Sequence, residues 1–219
     1  MTEVVVIGPC TLVRGDWRDC PFPESVTAIL TDPPYGIGYV KGPGGRPSRP
    51  GGSVHRHAAP VAGNDAPFDP APLLALGVET LLWGADRYRE RLPPGGRLLA
   101  WDKLAGRPSW DSFSDVEFAW HSVAGPSRVF SMLWKGVACE KIGEDNGRRY
   151  HPTQKPVRLM AWCLTQLRDP TVVFDPYMGS GSTAVAVVRR GTGRFVGCEI
   201  DEDHYRVAVE RVRREVEQL

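Results

Sequence analysis

A short apolar run, Thr27 to Leu30, stops abruptly at Thr31-Asp32-Pro33-Pro34-Tyr35. Two prolines cannot continue a β ladder, so a strand ends there and its carboxyl end presents a rigid turn. That turn suits one particular reaction. An exocyclic amine conjugated to its ring is a poor nucleophile, because its lone pair is delocalised. A carboxylate accepting one N–H and a backbone carbonyl accepting the other favour a pyramidal nitrogen that can attack a methyl group in line. Asp32 offers such a carboxylate and the turn offers such a carbonyl, with Pro33 and Pro34 stiffening the backbone and lacking a competing N–H. Tyr35 then offers a ring on which a base taken out of a duplex can stack. Extrusion costs a few kcal/mol, and stacking returns roughly 1–3 kcal/mol.

A second turn has a different chemistry. Val172-Val173-Phe174-Asp175-Pro176-Tyr177-Met178-Gly179-Ser180-Gly181-Ser182-Thr183 reads as strand, Gly-rich turn and helix start. Glycine at 179 and 181 lets the backbone turn sharply and approach a ligand closely. About 20 residues on, Glu199 ends the next strand, where an acid holds ribose hydroxyls in dinucleotide folds. A dinucleotide site and an S-adenosylmethionine site compete for this pattern. Ala184 stands where a third glycine would be, which decides little. Asp175 discriminates: a carboxylate there repels a pyrophosphate but suits a cationic amino-acid end.

Both turns need a sheet to hold them. Val4 to Ile7 reads as an early strand. Asp69 to Leu92 reads mainly as helix with a short strand at Thr80 to Trp83, and Arg97 to Trp101 as a strand. Asp115 to Trp134 suggests two strands in a hairpin-like arrangement around Gly125-Pro126. The last third is clearer: helix over Pro156 to Leu167, strand over Thr171 to Phe174, helix over Ser182 to Arg190, strand over Arg194 to Cys198, helix over Asp203 to Val216. That alternation predicts a parallel sheet with helical crossovers. From Gly36 to about Gly63, Gly and Pro crowd together with Lys41, Arg46, Arg49, Arg56, His55 and His57, and no acid intervenes. The expectation is a mobile basic loop (36–63) that meets phosphates.

The length of 219 residues suits one α/β domain, 1–219. Net charge is +1, so basic character must be local. The 5 cysteines are scattered without a CxxC pair, which indicates neither zinc nor a disulfide framework, and no metal is expected. The start, Met-Thr-Glu, lacks the marks of a signal peptide, and no apolar stretch is long enough to span a bilayer, so a soluble cytoplasmic protein without membrane contact is expected. Pro9-Cys10 resembles the nucleophile of cytosine-C5 methyltransferases by chance, since amine methylation needs no covalent thiolate.

Taken together, Asp32-Pro33-Pro34-Tyr35, His151-Pro152-Thr153-Gln154-Lys155-Pro156, Asp175 to Ser182 and Gly197-Cys198-Glu199-Ile200-Asp201 resemble the motifs of the amino DNA methyltransferases. Their order, catalytic turn before cofactor loop, resembles the circularly permuted β-class. Trp83-Gly84-Ala85, Gly95 to Lys103 and Phe113-Ser114-Asp115 are similar to phage and prophage members of restriction-modification type. The resemblance implies a Rossmann-like S-adenosylmethionine-dependent methyltransferase fold with a mostly parallel sheet flanked by helices. It implies that Asp32, Pro33, Pro34 and Tyr35 are catalytic. It places Thr153 and Lys155 near the methionine end of S-adenosylmethionine. Asp175, Pro176, Tyr177, Gly179, Ser180, Gly181, Ser182 and Thr183 wrap that cofactor, Glu199 with Ile200 takes its ribose, and Asp16 contacts its adenine ring. Tyr177 and Ser182 depart from the Phe and Thr commoner there, and Asp86 stands where Asn is frequent.

The partner implied is double-stranded DNA, touched by the basic loop and by Arg148 and Arg149. Asp32 favours adenine N6, where Ser would lean toward cytosine N4. An RNA base or a protein amide as substrate, and a DNA-binding remnant without cofactor, are the further alternatives. Residues 103–150 leave room for a small target-recognition region only, so specificity is short, relaxed or shared across a homodimer.

Overall fold

The computed structural model of the protein describes residues 2–20, 25–35, 66–110, 113–135, 138–140, 150 and 154–219. Apolar residues alternate along its central strands so that each side of the sheet receives its own layer. In β10 (Val172–Asp175), Val173 joins the layer under the helices, while Val172 and Phe174 join the opposite one. In β3 (Ala28–Thr31), Ala28 and Leu30 face the first layer and Ile29 the second. Both strands are buried throughout, as expected of parallel strands covered on two faces.

The remaining strands are β1 (Glu3–Ile7), β2 (Cys10–Arg14), β4 (Glu79–Trp83), β5 (Arg97–Asp102), β6 (Val116–His121), β7 (Arg128–Ser131) and β11 (Arg194–Glu199), with β8 (Trp134–Lys135) and β9 (Ala138–Cys139) forming a separate two-stranded ribbon. The main sheet runs β1-β2-β11-β10-β3-β4-β6-β5-β7. Pairing is parallel from β2 through β11, β10 and β3 to β4, and again between β5 and β7. Only β1 and β6 run against their neighbours. Helices α2 (Val157–Leu164), α3 (Ser182–Arg190) and α4 (Glu202–Glu217) pack side by side, and α4 lies on β1, β2 and β11. The α/β class and the mostly parallel sheet flanked by helices agree with expectation.

From β10 the chain crosses through α3 to β11 on one side, whereas β3 leads to β4 on the other. The direction of winding therefore reverses between β10 and β3. In open α/β sheets a ligand crevice forms outside the carboxyl ends of strands at such a point.

Two readings need correction. The stretch 69–92 is not mainly helical: it holds the one-turn helix α1 (Ala71–Leu74), strand β4 and two 3-10 turns. The short strand expected at Thr80 to Trp83 is present as β4, a central strand in which Leu81, Leu82 and Trp83 are buried. Nor do β6 and β7 form a hairpin, because β5 lies between them and pairs with both. No helix among the described residues is long and apolar enough to cross a membrane.

Leu81 is fully buried between β3 and β6. Leu81→Ala should lower unfolding free energy by about 2–5 kcal/mol in urea titrations; a loss under about 1 kcal/mol would contradict its central position.

Candidate active site

Each of the two turns begins where proline ends a strand: Asp32-Pro33-Pro34 after β3, and Asp175-Pro176 at the end of β10. Because β3 and β10 are parallel neighbours, the turns emerge at the same sheet edge. A direct bond joins them. Thr31 Oγ1 donates to Asp175 Oδ1 at 2.6 Å. Thr183 Oγ1 donates to Asp175 Oδ2 at 2.8 Å, and the Tyr177 backbone N–H donates to Oδ1 at 3.2 Å. The Asp175 carboxylate thus stitches β3, the glycine turn and the start of α3. It is only 3% exposed, and burial pushes its carboxyl up to about 7 in spite of these donors.

The turn itself is shaped by buried side chains and open at one glycine. Pro176, Ser180, Ser182 and Thr183 are buried. Arg211 of α4, 2% exposed, donates to the Ser180 carbonyl and to Ser180 Oγ at 3.1 Å. Gly181 has φ +81°, and a Cβ there would lie 3.0 Å from Ala208 Cβ. Gly179 has φ +55°, and a Cβ there would meet nothing within 4 Å, so the turn faces open space at that residue. Glu199 anchors it: its Oε2 accepts from the Gly179 N–H and its Oε1 from the Asp201 N–H, each at 2.8 Å. Burial raises the Glu199 carboxyl above its usual value. Ile200 beside it is exposed.

Asp16 is brought to the same place, since the Gly15 N–H donates to the Glu199 carbonyl at 2.9 Å. Its carboxylate caps the 3-10 turn Trp17–Asp19, accepting from the Arg18 N–H and side chain. These Arg18 bonds hold the Asp16 carboxyl below its usual value, with burial in partial opposition. Trp17 Nε1 donates to Tyr177 Oη at 3.1 Å.

At the turn after β3, Tyr35 donates its hydroxyl to Asp32 Oδ1, and Lys155 Nζ lies 2.7 Å from Asp32 Oδ2. Lys155, expected toward the methionine end of the cofactor, is thus paired with the Asp32 carboxylate. Glu117 of β6 joins it, with Oε2 3.0 Å from Lys155 Nζ and Oε1 3.0 Å from Lys103 Nζ. Gly84 (φ +79°) gives Tyr35 its place, because a Cβ there would fall 2.0 Å from Tyr35 Cε1. Tyr35 and Tyr177 pack against one apolar cluster that includes Phe68, Leu82 and Tyr88, so both turns share a wall.

Asp32 to Tyr35, Lys155, Asp16, Glu199 and the 175–183 turn are thus brought to one edge of the sheet. Thr153, Arg148, Arg149, Lys41, Arg46, Arg49 and Arg56 lie outside the described residues. Sequence reasoning missed Glu117 and Arg211. Each had a signal: Glu117 shares the inward row of its strand with Ala119 and His121, and Arg211 lies on the buried stripe of α4 with Tyr205, Ala208 and Val212.

Residues 122–210 match the N6/N4 family model described as DNA methylase. The resemblance to the amino DNA methyltransferases is thereby borne out. The matched stretch holds the described parts of the Lys155 segment, the 175–183 turn and Glu199, and leaves Asp32 outside it. The chain is similar to YubD of Escherichia coli, 38% identical over 68 residues, covering 31% of this chain and 30% of that one. It is also similar to the Type II methyltransferase M2.DpnII of Streptococcus pneumoniae, 33% identical over 86 residues, covering 39% and 31%. The matched stretches span under a third of the length of either relative. Among solved structures, the cytosine-N4-specific PvuII DNA methyltransferase superposes with TM-score 0.57 at 13% identity, covering 94% of this chain and 86% of that one. TTHA0409 of Thermus thermophilus, solved with S-adenosyl-L-methionine, gives 0.50 at 19% identity, covering 94% and 95%. At such identities the likeness establishes the fold.

The raised Asp175 carboxyl makes a signed prediction. An unfolded Asp ionises near 3.8 while the folded one stays protonated to about 7, so the folded state binds more protons between these values and stability falls as pH rises. Wild type should therefore lose stability relative to Asp175→Asn between about pH 4 and 7 in urea titrations. A difference that stays constant across that window would contradict the buried position of the carboxyl.

Proposed function

We propose that this chain is an amino DNA methyltransferase that moves a methyl group from S-adenosylmethionine to the N6 amine of adenine in double-stranded DNA. The observation that carries the reading is the meeting of Asp32 and the Gly179–Glu199 turn at one topological switch point, tied through Thr31 and Asp175. The residues present fit the cofactor. The open space at Gly179 admits a ligand close to the backbone, Glu199 stands beside it for ribose hydroxyls, and Tyr177, Ile200 and Asp16 border the same edge. Asp175, buried and bonded to Thr31 and Thr183, shapes the turn and does not itself choose between S-adenosylmethionine and a dinucleotide; the likeness to the amino DNA methyltransferases favours the former. Asp175, Pro176, Ser180, Gly181, Ser182 and Thr183 shape the turn, and Thr153 is assigned to the methionine end on the resemblance alone.

S-adenosylmethionine, when bound, supplies an electrophilic methyl on a sulfonium. The chain's own residues prepare the nucleophile. Asp32 accepts one N–H of the target amine and the Pro33 carbonyl the other, which localises the nitrogen lone pair. A carboxylate has about four acceptor positions. Those taken by Lys155 and Tyr35 leave room for the amine. As the new N–C bond forms, the displaced proton passes to Asp32, whose carboxyl burial raises above its ordinary value, with Lys155 opposing. Tyr35, fixed against Gly84, serves the extruded base. The basic loop, with Lys41, Arg46, Arg49 and Arg56, and Arg148 with Arg149, would meet phosphates, and the parts of 103–150 outside the sheet strands β6 and β7 would serve target recognition.

Cytosine N4 is the second reading, favoured by the fold likeness to the cytosine-N4-specific PvuII enzyme. Digestion of modified DNA to nucleosides separates the two.

Asp32→Ala should lower turnover at least about 10³-fold while S-adenosylmethionine affinity, measured by calorimetry, is kept. Glu199→Ala should weaken that affinity at least about tenfold, the equivalent of about 1.4 kcal/mol. An active Asp32→Ala protein, or unchanged affinity in Glu199→Ala, would remove the respective residue from its role. Neutralising Lys41, Arg46, Arg49 and Arg56 together should flatten the salt dependence of DNA binding; an unaltered slope would leave the loop without phosphate contacts.

A further inference from the structure

Behind the catalytic turn, charges alternate in sign. Asp32, Lys155, Glu117 and Lys103 form a chain of contacts at 2.7, 3.0 and 3.0 Å. Lys155 is 7% exposed. Burial alone would pull its ammonium down, but Asp32 and Glu117 outweigh burial and hold it well above the usual lysine value. Glu117 is in turn held at about 2, because Lys155 and Lys103 overcome its own desolvation. So the carboxylate that is to receive the target amine has a fixed cation at its side.

An ammonium has three N–H donors. Two of these point to carboxylates at normal hydrogen-bond lengths, and the remaining contact, to Tyr35 Oη, is the longest at 3.3 Å. That donor is the one an incoming acceptor can take over. Asp32 Oδ2 and Lys155 Nζ, 2.7 Å apart, then present an acceptor and a donor side by side. The spacing suits two atoms bonded to one ring carbon. In adenine these are the N6 amine and N1; in cytosine, the N4 amine and N3. Each offers a donor beside an acceptor. Guanine and thymine present the reverse order, a carbonyl oxygen beside a ring N–H, which would set acceptor against carboxylate and donor against ammonium.

We propose that Lys155 is a specificity-determining residue that donates to the ring nitrogen beside the target amine, so that Asp32 and Lys155 together admit adenine or cytosine and reject guanine and thymine, with Glu117 as the positioning residue for the ammonium. The inference rests on the reading of the chain as an amino DNA methyltransferase. A buried site built to hydrogen-bond one edge discriminates strongly, because the wrong partner leaves its groups unpaired.

The test uses a duplex oligonucleotide carrying the sequence that the wild-type protein methylates on plasmid DNA. Its target adenine is replaced by 1-deazaadenine, which keeps the amine and loses N1 (3-deazacytosine if the mapped base is cytosine). Wild type should lose roughly 10- to 100-fold in kcat/KM on the deaza duplex, the range of one hydrogen bond to a charged group. Lys155→Met should be slow on both duplexes and differ between them less than about threefold, as a shared contact in a double-mutant cycle requires. Its affinity for S-adenosylmethionine by calorimetry should stay within about twofold. Glu117→Gln should shift the alkaline limb of the kcat/KM profile to lower pH, since the ammonium loses one of its carboxylates. Equal wild-type rates on both duplexes would overturn the proposal, and that comparison needs no variant to fold. A Lys155→Met protein that keeps the full deaza penalty, or that loses cofactor affinity, would overturn it as well. Absence of methyl incorporation into any DNA by wild type would instead overturn the proposed function on which it rests.

Discussion

The hydrogen bond from Thr31 to the buried Asp175 carboxylate carries a constraint that the whole site obeys. Thr31 precedes Asp32, the proposed acceptor of the target amine, and Asp175 opens the glycine turn. Their side chains meet because β3 and β10, 144 positions apart at this bond, are adjacent parallel strands. Removing either partner would leave a buried polar group short of a hydrogen bond, at a cost of about 1–3 kcal/mol. The bond also sets geometry. The ends of β3 and β10 cannot slide past each other without breaking it, and a shift of one residue would turn every side chain of the strand to the opposite face.

Charge organises the site differently on its two sides. Around Gly179 the carboxylates of Asp175, Glu199 and Asp16 are each occupied by hydroxyl, backbone or guanidinium donors, so they build the turn before any ligand arrives. Around Asp32 the neighbours are donors held in their protonated forms: a tyrosine hydroxyl and a lysine ammonium. The first arrangement suits binding, where preorganisation lowers the entropy to be lost. The second suits a reaction that removes a proton from an amine. Arg211 supports the first side from below through Ser180, and Arg214 holds Tyr150 Oη at 3.0 Å, so α4 braces both the turn and the segment leading to Lys155.

Much of this is legible in the sequence because the strongest local signals are covalent. Pro33, Pro34 and Pro176 end strands wherever they fall, and Gly179 and Gly181 permit positive φ that other residues resist. The β10-α3-β11-α4 series follows from periodicity and matches the structure to within a residue or two at most ends. What escapes local reading is non-local. The residues flanking the strand in 69–92 read as helix, yet they form only the one-turn α1 and two 3-10 turns around β4. The strands β6 and β7 look like a hairpin because they follow each other, while β5 inserts between them. Asp175 reads as facing the ligand, since nothing local reveals that Thr31 and Thr183 take up both of its oxygens. Lys155 reads as a cofactor residue for the same reason: its partners Asp32 and Glu117 come from distant strands.

The most direct measurement is a crystal structure of the protein with sinefungin, an unreactive analogue of S-adenosylmethionine, and a duplex bearing the methylated sequence. The target base should lie outside its stack, with its amine on Asp32 and the analogue's own amine nitrogen, which stands where the methyl group would be, about 3–3.5 Å from the base nitrogen. An analogue bound away from Gly179 and Glu199, or a base lodged out of reach of Asp32, would contradict it.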